Sequence, residues 1–343
     1  MEGSEILYGV IMAGGRGTRL MPLTAKRPKP MVPVLGRPVI DYVKDAMVAA
    51  GLSEIIVTTG YQGEQLIEHV STWDISSRVN QEDSPMGTAG SVRLLSDELQ
   101  ETFVVGSGDS VASFDIADLL ESHRKSGAKV TMALWHVEDP TEFGIVGLSK
   151  ENQGTIDSEL TEGYISRFKE KPSPDEAFSN LINAGLYIIE PEVMELIPQG
   201  EKYDFSKQLF PDVLSRGWPM YAKTVNGIWF DVGHPFELHN AQMALIAGRD
   251  NLPFPMPAGE VLPDGSFISK SASVSGYVEK SIILEGASVN GAVVNSVVMS
   301  NSRINGVSES SIVGENSVID SRIQNCVIGD GVHIKIDLQG ERR

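Results

Sequence analysis

Beyond Asp264, aliphatic residues recur six apart in short runs: Ile268 and Val274, Ile283 and Val289, Val298 and Ile304, Val307, Val313 and Ile319, then Ile328 and Ile334. Serine, asparagine and glycine fill the intervals. Few architectures accept such a pattern. Short β-branched steps with small polar corners mark a parallel β-helix, whose coils bury their apolar edges only by stacking on one another. At ~18 residues per coil, three hexapeptide steps, the stretch from Asp264 to Leu338 predicts about four coils. A Ser/Asn-rich β-sandwich is the alternative that the same residues leave open. An aliphatic coil end or flat face invites a partner, so a homo-oligomer built through the β-helix is expected.

Residues 1–250 read differently. ILYGVIM (Ile6–Met12), EIIVTT (Glu54–Thr59), TFVVG (Thr102–Gly106) and KVTMALWHV (Lys129–Val137) are apolar runs of strand length. Helical periodicity separates them. Val39, Val43, Ala46, Met47 and Ala50 share one helical face, with Pro38 at the first helical position and Gly51 as the stop. A second helix runs from Asp115 to Ser126 and ends at Gly127. Such alternation predicts a mostly parallel sheet covered by helices, with ligands bound beyond the carboxyl ends of its strands. NLPFPMPAGEVLP (Asn251–Pro263) is too rich in proline for a regular helix and reads as a linker between residues 1–250 and 264–343.

Composition narrows the function. Of 343 residues, 41% are apolar and 22% charged, the balance of a globular chain with a real core. The formal charge of −18 opposes nonspecific binding to nucleic acid or to an anionic membrane. The single cysteine, Cys326, excludes a disulfide framework within the chain. Neither CxxC nor HExxH occurs, and no run approaches the ~20 apolar residues that span a bilayer. MEGSE lacks the basic start of a signal peptide, so a cytoplasmic location is expected.

Against that acidic background, IMAGGRGTRLMPLTAKRPKPMVP (Ile11–Pro33) gathers Arg16, Arg19, Lys26, Arg27 and Lys29 around Gly14, Gly15 and Gly17. It is not the dinucleotide fingerprint, because Leu20 stands where the last glycine belongs, and no GK[ST] follows to make a Walker loop. Glycines let backbone N–H groups approach an anion, and arginine grips phosphate through paired hydrogen bonds. Prolines on both sides of Lys29 restrict how it is presented. A small polyanion explains this better than a solvated charged loop, which needs neither the glycines nor the proline clamp.

These residues resemble the signature of the sugar nucleotidylyltransferases. The likeness continues in the family's order through PMGTAG (Pro85–Gly90), GSGD (Gly106–Asp109), EFGIV (Glu142–Val146), FKEKP (Phe168–Pro172), NAGLYI (Asn183–Ile188) and WFDVGHP (Trp229–Pro235). RPKPM and VPVLGRP look most like the mannose-1-phosphate guanylyltransferases and related archaeal glucose-1-phosphate enzymes. The resemblance implies an α/β fold: a Rossmann-like mixed-sheet nucleotidyltransferase domain over residues 1–250, then a left-handed parallel β-helix. It implies in-line attack of a sugar-1-phosphate on the α-phosphorus of a nucleoside triphosphate, with pyrophosphate leaving.

Site residues follow from the same resemblance. Gly14, Gly15, Gly17 and Thr18 would hold the nucleotide, Arg19 the leaving phosphates, and Lys29 the region of the α-phosphate. Gln81, Gly87 and Thr88 would lie beside the base and ribose. Gly144, Glu170, Lys171 and Asn183 would take the sugar phosphate, and Asp109 and Asp231 would bind Mg²⁺. Taken alone, a GD dipeptide caps a turn as readily as it binds a metal. Lys26 and Arg27 read as solvated neighbours. His234 reads as structural, since an anionic phosphate oxygen needs no general base.

GTP with mannose-1-phosphate is the expected pair, with UTP or dTTP and glucose-1-phosphate as the alternative. Two further readings stay open: an added acyltransferase in the repeats, for which His333 is the one histidine available, and a non-catalytic regulatory subunit. The survival of Arg19, Lys29, Asp109, Lys171 and Asp231 favours an enzyme.

Overall fold

Each apolar run read as a strand upstream of residue 250 joins one sheet. A computed structural model describes residues 7–60 and 63–343; Ile6 and the MEGSE segment lie outside the described residues. In chain order the strands are β1 (Tyr8–Met12), β2 (Glu54–Thr59), β3 (Ser76–Gln81), β4 (Phe103–Ser107), β5 (Val130–His136), β6 (Gly144–Ser149), β7 (Glu162–Glu170), β8 (Leu181–Ile189) and β9 (Met220–Thr224). They line up as β3-β2-β1-β4-β8-β5-β9-β7-β6.

The sheet is mixed rather than mostly parallel. β3, β2, β1 and β4 are parallel, as the alternation of strand and helix requires. β8 then enters antiparallel between β4 and β5, and β7 is antiparallel to both of its neighbours. Antiparallel neighbours need no helical crossover, which is why the helical periodicity fades beyond residue 126.

Helices α1 (Ile40–Ala49), α2 (Gly63–Val70), α3 (Gly87–Arg93), α4 (Ile116–Ser126) and α5 (Phe210–Ser215) intervene, and α6 (Pro235–Gly248) follows the last strands. Pro38 does not open α1. It lies in a two-stranded turn, Pro33–Val34 against Arg37–Pro38, and the helix begins two residues later. The Asp115 carboxylate accepts from the Asp118 amide to cap α4, and Gly127 ends that helix at φ 63. Val10, Ile56, Val105, Val130 and Tyr187 lie in one buried core. Phe205 and Phe210 pack against Tyr187 with ring centroids 5.2 and 5.0 Å away, and Phe168 meets Phe210 at 5.6 Å.

The C-terminal repeats form a parallel β-helix of three ladders. Ser273 pairs with Ser288, Ser288 with Arg303, Arg303 with Val318 and Val318 with His333. The coil is therefore 15 residues long (|i−j| = 15), not 18. The six-residue spacing is one of three unequal sides. Inward residues advance from Ile283 to Val289, Val293 and Val298, the last pairing with Ile283 one coil below. Shorter coils fit five rungs where four were expected, from Phe267–Ser269 to Val327–Ile328.

Serine content has a structural cause. The hydroxyls of Ser266, Ser281, Ser296 and Ser311 each accept the amide 15 residues on, at 3.0–3.1 Å, and the last of those amides is that of Cys326. Buried corners cannot leave backbone donors unpaired, and a small hydroxyl supplies the acceptor without widening the coil. Cys326 is 1% exposed and packs in this core. Within the proline-rich stretch, Gly259–Val261 pairs antiparallel with Phe267–Ser269.

Two compact units share the chain, and the division ignores chain order. One contains the described residues through Gly14, with Val43–Gly108 and Ser113–Trp229. The other contains Gly15–Tyr42, Asp109–Ala112 and Phe230–Arg343. The cationic loop, Asp109 and Asp231 thus belong to the same unit as the β-helix.

Candidate active site

The first group of predicted site residues lies, apart from Gly14, in the unit that contains the β-helix. Gly17 takes φ 63, and a Cβ there would stand 2.9 Å from both Lys29 Cβ and Thr24 Cγ2. Only glycine fits this corner without displacing its neighbours. The Thr24 hydroxyl donates to the Gly17 carbonyl at 2.8 Å, closing the turn, and Thr18–Leu20 follows as a single 3₁₀ turn. Gly14 and Gly15 make no such demand: nothing lies within 4 Å of a Cβ at either position. Arg16, Thr18 and Arg19 are exposed on this loop.

Lys29 is the centre of the group. It sits between Pro28 and Pro30 in a 3₁₀ turn and is 6% exposed. Its Nζ donates to Asp109 Oδ2 at 2.7 Å and to Asp231 Oδ1 at 2.9 Å. Burial disfavours the ammonium, but attraction to Asp109 and Asp231 and the hydrogen bonds to both outweigh it, so the Lys29 pKa is raised. Arg19 Nη2 lies 3.9 Å from Asp231 Oδ2, with its side chain 61% exposed.

A raised lysine pKa has a defined consequence for stability. The contribution is complete below the unfolded value of about 10.4 and is lost as pH rises through the higher folded value. Melting temperature is therefore expected to fall above about pH 10.4, and Lys29→Met is expected to flatten that fall. A variant whose alkaline profile matched the parent's would contradict this.

Two carboxylates share one ammonium, and the Arg19 guanidinium stands beside Asp231 as a second cation. Both carboxylates are about 30% exposed, so solvent and ligands reach them. Paired carboxylate oxygens fit a hard divalent cation that keeps its remaining positions for water and phosphate. Among the described residues no group of three or more His, Cys, Asp or Glu side chains could hold a metal ion.

His234 caps α6 through Nδ1, which accepts the Phe236 amide at 3.4 Å, and its ring stacks on Phe236. Burial, then Arg342 and Arg19, depress its pKa. Arg27 overturns the expectation of a solvated neighbour. Its side chain is 15% exposed and pairs with Glu315 at 2.7 Å and with Asp330. Nothing local marked this, because the acids lie 288 and 303 residues away.

The second group lies in the unit that contains the main sheet. Gly87 opens α3 at φ 76, and the Ala89 and Gly90 amides both donate to the Tyr203 carbonyl at 3.0 Å. Those amides are therefore committed to the protein. Thr88 Oγ1 donates to Asp204 Oδ2 at 3.1 Å and accepts the Phe205 amide at 2.9 Å. Gln81 ends β3 and is exposed, with its amide against Gly63. A Cβ at Gly87 would stand 2.5 Å from the Tyr203 carbonyl oxygen. Left-handed geometry alone costs an L-residue about 1–2 kcal/mol, so Gly87→Ala is expected to lower the denaturant midpoint clearly; an unchanged midpoint would contradict this packing.

Glu170 ends β7 opposite Gly144 on β6, and its Oε2 would meet a Gly144 Cβ at 2.8 Å. Burial, then the charge of Asp204, raises the Glu170 pKa. Lys171 adopts φ 44, left-handed for a non-glycine residue, and reaches Glu142 at 3.4 Å in the open. Such geometry is costly and gathers where side chains must be aimed. Asn183 Nδ2 donates to the Tyr187 hydroxyl at 2.8 Å and to Ser206 Oγ at 3.4 Å, while its Oδ1 accepts the Gly185 amide at 2.9 Å. Asp204 and Ser206 thus join this group without any motif having announced them, and Tyr187 joins it from within NAGLYI. The one local hint is that the Asp204 carboxylate accepts the amides of Ser206 and Lys207, a turn-cap pattern.

Among the described residues no helix is long and apolar enough to cross a membrane. Residues 8–248 match the family described as nucleotidyl transferase. The chain is 32% identical over 278 residues to a mannose-1-phosphate guanyltransferase of Eremothecium gossypii, covering 79% of this chain and 73% of that protein. It is 32% identical over 276 residues to a mannose-1-phosphate guanylyltransferase of Mycobacterium tuberculosis, covering 78% and 73%. A UTP–glucose-1-phosphate uridylyltransferase of Synechocystis matches at 30% over 244 residues, covering 66% of this chain and 60% of that one. A match running from the first strand to the end of α6 takes in both groups of residues, and the chain belongs to the nucleotidyl transferase family.

Proposed function

We propose that this chain joins GTP and mannose-1-phosphate to form GDP-mannose and pyrophosphate. The observation that supports it most is Lys29, buried between two prolines and aimed at Asp109 and Asp231 on a glycine-cornered loop. The mannose-1-phosphate guanylyltransferases among the relatives support the choice of base and sugar. The Synechocystis relative supports uridylyl transfer to glucose-1-phosphate as the second reading.

The chemistry is positioning and neutralisation of charge. An oxygen of the sugar phosphate bonds to the α-phosphorus as the bond from that phosphorus to the bridging β-oxygen breaks, and pyrophosphate carries away the electron pair. The attacking oxygen is already anionic, which agrees with a His234 that caps a helix. Lys29 neutralises charge that develops on the α-phosphate. Arg19 and the backbone from Gly14 to Thr18 hold the leaving phosphates, with Arg16 beside them. Gln81, Gly87 and Thr88 bound the base and ribose. Glu170 and Asn183 accept and donate to sugar hydroxyls beside Gly144, and Lys171 meets the sugar phosphate. Asp109 and Asp231 would hold Mg²⁺, which supplies further neutralisation of the phosphates when bound.

Purified protein with Mg²⁺, offered GTP, UTP, dTTP, ATP or CTP with mannose-, glucose-, galactose- or N-acetylglucosamine-1-phosphate, tests the reading. Pyrophosphate release dominated by GTP with mannose-1-phosphate is expected. Preference for UTP or dTTP with glucose-1-phosphate would select the second reading, and silence would return the chain to a regulatory role. Association of copies through the β-helix, where Tyr277 stands 56% exposed, belongs to the same proposal. Sedimentation would read it as a mass above that of one chain.

A further inference from the structure

Arg27 is two residues from Lys29, and only Pro28 separates them. Its guanidinium reaches two carboxylates on neighbouring β-helix coils, Glu315 at 2.7 Å and Asp330. These acids stack one coil apart, and the Asp330 carboxylate also accepts the Glu315 amide at 2.8 Å. Arg27 and Asp330 are each 15% exposed and Glu315 is 28% exposed, so water screens the triad little. Without the arginine, two like charges would face each other in a half-buried corner, a costly arrangement.

A second tie holds the same loop. Arg342 Nη1 donates to the Arg19 carbonyl at 2.7 Å. Arg342 is itself bridged to Val327, and the Gly329 amide donates to the Arg343 carbonyl at 2.7 Å. Pro22 packs against Gly329. The segment from Arg19 to Arg27 is thus fastened to the last coils at both ends, and Lys29 follows after one proline. Between them the proline-restricted backbone has little slack to absorb a shift.

We propose that Arg27 is a positioning residue for Lys29, and that the β-helix, through Glu315 and Asp330, sets where the Lys29 ammonium stands in the reaction. This rests on the reading of Lys29 as a phosphate ligand. The repeat domain then has a role in each turnover, because the coil corners that hold Arg27 are the far end of the phosphate loop's support. The dependence is mutual, since the loop also supplies the cation that lets the two acidic corners stack.

Arg27→Met, Arg27→Lys and the triple variant Arg27→Met/Glu315→Gln/Asp330→Asn test it. The triple variant strands no charge and guards against simple misfolding. Hydrogen exchange over residues 15–31 without substrate, and kcat and KM with it, are the readouts. Arg27→Met and the triple variant are expected to exchange this loop about tenfold faster and to lose roughly 10–100-fold in kcat, the scale of a displacement near 1 Å. KM for the sugar phosphate is expected to stay within about twofold, because its ligands lie elsewhere. Arg27→Lys, which keeps the charge, is expected to recover most of the loss. A natively folded triple variant with parental kcat would overturn the proposal. If the parent protein itself released no pyrophosphate, the reading of Lys29 would fail, and exchange would decide the anchor separately: unchanged exchange would overturn it.

Discussion

Lys29→Ala should lower kcat for pyrophosphate release by about 10²–10³-fold, the scale for removing one preorganised donor from a developing anion. The melting temperature at neutral pH should shift by only a few degrees. The two expectations separate because of where the partners sit. Asp109 and Asp231 are each about 30% exposed, so water can solvate them once the ammonium is gone. Lys29 itself is 6% exposed, so water cannot easily stand in for its charge at the phosphate. KM for the sugar phosphate should change little, because the interaction grows in the transition state. An alanine variant with near-parental kcat would show that Lys29 serves only to neutralise the two aspartates.

Asp109→Asn and Asp231→Asn should each cost roughly 10²-fold or more in kcat, and each should raise the Mg²⁺ concentration needed for half-maximal rate. Asparagine keeps the shape and removes the charge, so Lys29 retains one carboxylate partner in either variant. If the aspartates acted only by holding Lys29, activity would fall with the Mg²⁺ requirement unchanged. Titrating Mg²⁺ against rate therefore distinguishes a metal ligand from a lysine holder. Doubling the change, Asp109→Asn/Asp231→Asn, should add little beyond the worse single variant, since residues acting on one ion are not additive.

Much of this was legible from residue types at their positions. Strand ends carried Gly14–Thr18, and the spacing of β-branched residues announced the β-helix. Lys29, Asp109 and Asp231 stand far apart in the chain, and the family likeness singled out all three before the fold placed them within hydrogen-bonding distance. What escaped did so for physical reasons. Arg27 looks solvated because its neighbours Ala25 and Lys26 are exposed, while its partners come from coil corners whose acids resemble any surface carboxylate. Asp204 and Ser206 reach Thr88 and Asn183 by tertiary folding, which no local spacing encodes. Pro38 fits a helix start by propensity, yet pairing with Pro33 claims it for a turn. The six-residue side is the most visible of three unequal ones, so the hexapeptide period overstates the 15-residue coil.

The most direct test of the central claim follows the α-phosphate. GTP labelled at that phosphorus, incubated with mannose-1-phosphate, Mg²⁺ and the purified protein, should yield labelled GDP-mannose and one pyrophosphate per product, with no label in the pyrophosphate. Label remaining wholly in GTP, with no transfer from any other α-labelled triphosphate to any sugar phosphate, would contradict it.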